Sequence, residues 1–225
     1  MRVTAARLGI FCLIAVLVSI YVKPACGPEE LVQVAPTRAE LSSARSKQPL
    51  LGYMLRPKSA DPQAAIVILH GCEGFGLTYI IRGREFQTAA YVVLVLDRLG
   101  SANACNCGAG APAEALDAYA AIGWLDKHSF VDPTRVAVLG FSTDGLAALM
   151  VAQRGPLEST VHFRAAVAYY PACPWSSGIM TLHTLILIGG GDERTPAADC
   201  EVMIKGQNET GVQIALRAAA TRAFH

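Results

Sequence analysis

The sequence predicts a doubly wound α/β fold, a mostly parallel sheet with helices on both faces. Three observations carry that prediction. Short runs of aliphatic and β-branched residues recur along the chain and are apolar at every position, as strands covered from both sides must be. Helical patterns alternate with these runs in the βαβ order of a parallel sheet. Several runs end on small or chemically active residues, at the carboxyl ends of strands where such sheets bind ligands. With 225 residues and 52% hydrophobic content, the chain suits one core rather than two.

Arg2 and Arg7 precede an uncharged run, LGIFCLIAVLVSIYV (8–22), which Lys23 closes. As a helix this run would rise about 22 Å, short of a hydrocarbon core of about 30 Å. A positive start and a short apolar centre predict a signal peptide over 1–26 and export to the periplasm or medium. An uncleaved membrane anchor is the alternative. Residues 27–49 are polar, carry Pro28, Pro36 and Pro49, and predict a linker, leaving 50–225 as the folded domain.

Within that domain strands are predicted at 50–55, 64–69, 91–96, 135–139, 165–170, 184–188 and 212–216. They end respectively near Pro57, at His70-Gly71, at Asp97, at the turn holding Ser142, at Pro171, at Gly189-Gly190-Gly191 and before the C-terminus. Helices are predicted at 82–90, 113–127, 146–153 and 197–205. The second is best marked, because Ala115, Ala118, Ala121, Ile122 and Leu125 form one stripe. The triple glycine lacks a following Lys-Ser/Thr and predicts a tight turn rather than a phosphate loop.

A net charge of +1 with no basic stripe points away from nucleic acid. Of seven cysteines, Cys12 falls in the leader; six in an exported domain predict disulfides. Cys173 with Cys200 is the preferred pair, since both follow core strands near the expected site. Closing that loop contributes roughly 3–4 kcal/mol in the chain-entropy picture. Cys72 with Cys105 or Cys107 is the second pairing. Cys105-Asn106-Cys107 has no second knuckle or paired histidine, so neither a metal nor another cofactor is expected.

The chemistry centres on RVAVLGFSTDG (135–145): a strand, a tight turn carrying Ser142, then a helix of small residues. This presentation, the nucleophile elbow of α/β-hydrolases, lifts the hydroxyl above the sheet and brings the next N–H to a developing oxyanion. Asp144 stands at the second glycine of G-x-S-x-G, and Gly145 comes one place later. Four strand ends then share one edge, carrying the loop from His70 to Gly74, Asp97, Ser142 and Asp192. Serine before acid, with histidine expected last, is the α/β-hydrolase order. Read singly, Ser142 would be an N-cap, Asp192 a turn cap before Thr195-Pro196, and Glu73 a loop carboxylate. Asp97 is expected to be structural.

From about residue 50 onward the chain resembles the dienelactone hydrolase family. The carrying segments are IVILHGCEGFG (66–76), YVVLVLDRLGS (91–101), DPTRVAVLGFSTDG (132–145), AVAYYPAC (166–173) and LILIGGGDERTPAADC (185–200). The resemblance implies an α/β-hydrolase fold and a small carboxylic ester or lactone as substrate. It implies Ser142 as nucleophile, Asp192 as the acid orienting a histidine, and Glu73 as a carboxylate near the nucleophile. The N–H groups of Gly74 and Thr143 would bind the oxyanion, with Cys72 the alternative for the first.

The resemblance breaks at the base. Where the family places histidine in a segment like A-T-H-A-F-D, this chain reads Ala220-Thr221-Arg222-Ala223-Phe224-His225. Arg222 cannot accept a proton near neutral pH. Either His225 serves as the base from three positions later, or the site is impaired or truncated and the chain binds a ligand or partner. The helix that would follow the last strand is missing. His70 is expected to be structural, His128 to sit at a helix end, and His162 and His183 to lie at the opposite edge.

Overall fold

The pleat of a single sheet sorts the strand residues into two cores. The computed structural model describes residues 27–34, 50–97, 111–153, 162–176, 179–205 and 211–220. Eight strands appear: β1 (Glu29–Val34), β2 (Leu50–Leu55), β3 (Gln63–Leu69), β4 (Val92–Asp97), β5 (Val131–Phe141), β6 (Ala165–Tyr169), β7 (His183–Gly189) and β8 (Ile214–Ala219). Their order is β1-β2-β4-β3-β5-β6-β7-β8. β1 and β2 pair antiparallel at one edge, and β3 through β8 are parallel to one another.

Successive side chains point to opposite faces. Val67, Leu69, Val92, Leu94 and Leu96 enter the larger core. Their neighbours Ile66, Ile68, Val93 and Val95 enter the smaller one. Helix α1 (Leu77–Thr88) covers the smaller core by burying Tyr79 and packing Phe86. Helices α2 (Ala111–Leu125), α3 (Thr143–Ala152) and α4 (Ala197–Lys205) cover the larger one. The predicted alanine stripe of α2 is buried, with Ala118, Ala121, Ile122 and Leu125 sealed from solvent. Its small side chains let α2 pack closely on α3.

Two differences from the sequence reading concern boundaries. The stretch expected as a linker (27–49) contains β1, which pairs residue for residue with β2. Glu29 fastens it, accepting hydrogen bonds from Arg84 on α1 at 2.8 and 2.9 Å and from Tyr53 on β2 at 2.8 Å. Helix α1 begins at Leu77 rather than at 82, because the chain enters it directly from the extended Gly76.

The disulfide Cys173–Cys200 is present and ties the loop after β6 to α4. Cys72 is also disulfide-bonded; Cys105 and Cys107 lie outside the described residues, as do the leader, Arg222 and His225. Among the described residues, no helix is long and apolar enough to cross a membrane.

Candidate active site

Ser142 follows the last residue of β5 and caps α3 with φ 55° and ψ −120°, a left-handed backbone that favours glycine. Two glycines make so sharp a turn possible. A Cβ on Gly140 would lie 1.8 Å from Asp144 O, and one on Gly145 would lie 2.7 Å from Tyr169 O. The close helix–strand approach therefore falls on Gly145, and Asp144 is accommodated as a buried side chain. Ser142 N–H donates to Tyr169 O at 3.0 Å, and Ser142 O accepts from Leu146 N–H at 3.2 Å, which locks the turn between β6 and α3.

Asp192 lies three residues beyond β7, at the same carboxyl rim. The triple glycine makes the predicted turn, with Gly190 N–H on Ala219 O at 2.8 Å and Asp192 N–H on Gly189 O at 3.1 Å. The carboxylate is buried, and its Oδ1 accepts from the N–H groups of Arg194 and Thr195 at 2.9 and 3.0 Å. β6 runs between the strands that carry Ser142 and Asp192.

The loop after β3 supplies the third side. Cys72 Sγ lies 3.1 Å from Thr143 Oγ1, so residues 72 and 143 are neighbours. Gly74, with φ 86°, donates its N–H to Gly71 O at 3.0 Å. That bond engages the Gly74 N–H within the turn. Glu73 accepts a hydrogen bond from Tyr79, whose own oxygen accepts from Gly71 N–H at 2.9 Å.

Sequence reasoning missed two tyrosines. Tyr79 is buried beside Phe141, with ring centroids 5.1 Å apart edge to face. Tyr170 is buried at φ 37° after β6. Burial pushes the Tyr170 phenol up to about 12, and the carboxylates of Glu73 and Asp192 add to the shift. One phenol thus senses the carboxylates of two separate loops. The Tyr-Tyr-Pro at the end of β6 is the only sequence signal for it, and a strand end rich in aromatics reads equally well as core.

The described histidines divide clearly. His70 is buried at the rim, with Nδ1 2.9 Å from Gly71 O. His128 lies tilted against Trp124, ring centroids 4.0 Å apart, with its Nδ1 2.9 Å from Trp124 O. His162 is exposed ahead of β6, and His183, exposed at the start of β7, accepts from Gln213 N–H at 3.1 Å. Asp97 ends β4 opposite Leu51. A cavity of about 170 Å³ lined by Arg56, Lys58 and Phe130 opens at the amino ends of β3 and β4, away from Ser142.

The model of a family described as X-Pro dipeptidyl-peptidase (S15 family) matches residues 36–199. No curated protein matches the chain. Among solved structures, esterase 2 of Thermogutta terrifontis phosphoramylated by tabun is 19% identical, with TM-score 0.66 over 87% of this chain and 83% of that one. The same enzyme with bound butyrate is 18% identical, with TM-score 0.68 over 89% and 86%. A candidate dienelactone hydrolase of Klebsiella pneumoniae is 15% identical, with TM-score 0.68 over 85% of both chains. At these identities the likeness is one of fold, and the fold is that of an α/β-hydrolase.

Proposed function

The chain belongs to the family described as X-Pro dipeptidyl-peptidase (S15 family), a family of serine hydrolases, and from that premise we propose that it hydrolyses small carboxylic esters or lactones through Ser142. The observation that carries the reading is the positive φ of Ser142 at a strand-to-helix turn. A serine needed only as an N-cap has no use for it. Backbone strain of this kind costs about 1–3 kcal/mol and persists where the surroundings over-determine it, commonly at reacting groups.

In the proposed reaction Ser142 Oγ attacks the carbonyl carbon while its proton passes to a base. The carbonyl oxygen becomes an oxyanion between the N–H groups of Cys72 and Thr143. The alkoxide leaves with a proton returned by the base, or stays tethered if the substrate is a lactone. Water then releases the acyl group from Ser142 by the same two steps. Asp192, fixed by two backbone N–H groups, would orient the base.

Esters are favoured over peptides by the base itself. Arg222 fills the position where the dienelactone hydrolase pattern has histidine, and His225 follows three residues later. An amine needs a proton delivered as it leaves, whereas an alkoxide departs with less help, so a base three positions out of the pattern would limit amide cleavage more severely. The dienelactone hydrolase type belongs to this proposal, as does export, which the Cys173–Cys200 disulfide supports.

A fluorophosphonate probe tests the reading. Wild-type protein is expected to label at Ser142, and Ser142→Ala to lose the label. Asp192→Asn should label at least tenfold more slowly. No labelling of wild type, with labelling of Arg222→His, would replace the enzyme reading by that of a ligand-binding relative. Cleavage of an X-Pro 4-nitroanilide in preference to 4-nitrophenyl acetate would assign peptidase activity instead.

A further inference from the structure

We propose that Tyr79 is a positioning residue for the oxyanion turn, holding residues 71–74 against the elbow through a hydrogen bond on each side of its hydroxyl. The inference rests on the serine hydrolase reading and deepens it by assigning what fixes the donor opposite Thr143.

Apart from the disulfide at Cys72, which ties one residue and leaves the peptide groups on either side free to rotate, the turn after β3 has little rigidity of its own. It starts at Gly71, reaches Gly74 with φ 86°, and closes through a bond from Gly74 N–H to Gly71 O at 3.0 Å. An oxyanion donor acts only within about 2.7–3.1 Å of the developing charge, so such a turn needs an external support. Tyr79 supplies it from the first turn of α1. Its oxygen accepts from Gly71 N–H at 2.9 Å, and its proton goes to Glu73. The hydroxyl has one proton to give, so accepting from Gly71 and donating to Glu73 fixes its orientation.

The ring is as constrained as the hydroxyl. Tyr79 is 4% exposed and meets Phe141, the residue before Ser142, edge to face at 5.1 Å. The clamp therefore joins the turn to the elbow as well as to α1. Glu73 completes it from the other side, since a Cβ on Gly71 would lie 2.5 Å from Glu73 Oε2. The carboxylate lies folded over Gly71, and glycine there leaves room for it. On the elbow side, Cys72 Sγ stands 3.1 Å from Thr143 Oγ1. Burial and the Glu73 hydrogen bond raise the Tyr79 phenol well above its ordinary value, so the clamp keeps its proton over the working pH range. Glu73 acts here as the acceptor that orients Tyr79, a different part from that of a base toward Ser142.

The test uses 4-nitrophenyl acetate turnover by the full chain, with a trifluoromethyl ketone as transition-state mimic and acetate as product. Removing an oxyanion donor outright costs roughly 10²–10³ in kcat, and letting one drift should cost about tenfold or somewhat more. Tyr79→Phe is expected to lower kcat by about that factor, with KM held within about twofold. Ketone affinity should fall in step with kcat/KM, while acetate inhibition stays unchanged. Glu73→Gln keeps an acceptor oxygen for Tyr79 and should retain most activity; Glu73→Ala should resemble Tyr79→Phe. If Tyr79→Phe fails to fold, the Glu73 pair carries the same comparison. Unchanged kcat in Tyr79→Phe, or equal losses in ketone and acetate affinity, would overturn the proposal. Turnover that survives in Ser142→Ala would instead overturn the underlying reading, before any Tyr79 variant is measured.

Discussion

At the scale of single residues, Ser142 concentrates strain in one backbone position, and the proposed chemistry rests on that position. Its φ of 55° is paid for by neighbours that cannot move: Gly140 against Asp144 O, and Gly145 against Tyr169 O. Two substitutions at the serine separate strain from reaction. Ser142→Gly and Ser142→Ala both remove the hydroxyl, but only glycine relieves the backbone. The glycine variant should be more stable by about 1–3 kcal/mol in urea unfolding, with both inactive. Equal stabilities would mean that the turn is relaxed and that its φ is no mark of a reacting serine. Gly140→Ala makes the complementary case. Its added Cβ would meet backbone oxygen at 1.8 Å, which no rotamer can relieve, so a loss of at least about 3 kcal/mol is expected.

At the scale of elements, two ties hold the ends of the sheet, and each has its own chemical lever. β1 is fastened by Glu29, whose carboxyl is held below its ordinary 4.5 first by the Arg84 hydrogen bond and then by Tyr53, against some cost of burial. A depressed carboxyl stabilises the fold fully above its unfolded value and loses that contribution as pH falls toward the folded one. The stability gap between wild type and Glu29→Gln should therefore be widest near neutrality and shrink below about pH 4.5. A gap that widens in acid would reverse the assignment. The second tie, Cys173–Cys200, closes a loop with a sequence separation of 27. Opening it with Cys200→Ser should cost roughly 3–4 kcal/mol by thermal or urea unfolding. This pairing was legible in the sequence because strand ends bring such cysteines to one rim. β1 was not, since its prolines and polar neighbours read as linker. Its partners Tyr53 and Arg84 lie 24 and 55 residues away. The elbow was legible because a strand, glycine and serine are local signals. Tyr79, Tyr170 and the engaged N–H of Gly74 were not, since each acts through a contact that only folding creates.

At the scale of the whole molecule, the two faces of the sheet are unequally protected among the described residues. On one face α2, α3 and α4 seal Leu96, Ile186 and Ile188 from solvent. On the other, α1 packs on β2 and β4, and along β6 and β7 the side chains of Val167, Leu185 and Leu187 are only half-buried. Alternation along β7 puts Leu187 on the face opposite Ile186 and Ile188. Truncating a sealed leucine loses its transfer energy and leaves a void, at about 2–5 kcal/mol. A half-buried leucine loses about 1 kcal/mol of transfer energy, and water fills the space it leaves. Leu96→Ala should therefore be several times more costly than Leu187→Ala in urea unfolding, with equal dependence on denaturant in both. Comparable costs would show that Leu187 is covered in solution as fully as Leu96. The sheet would then be buried on both faces along its whole width, and its two faces would be equally protected.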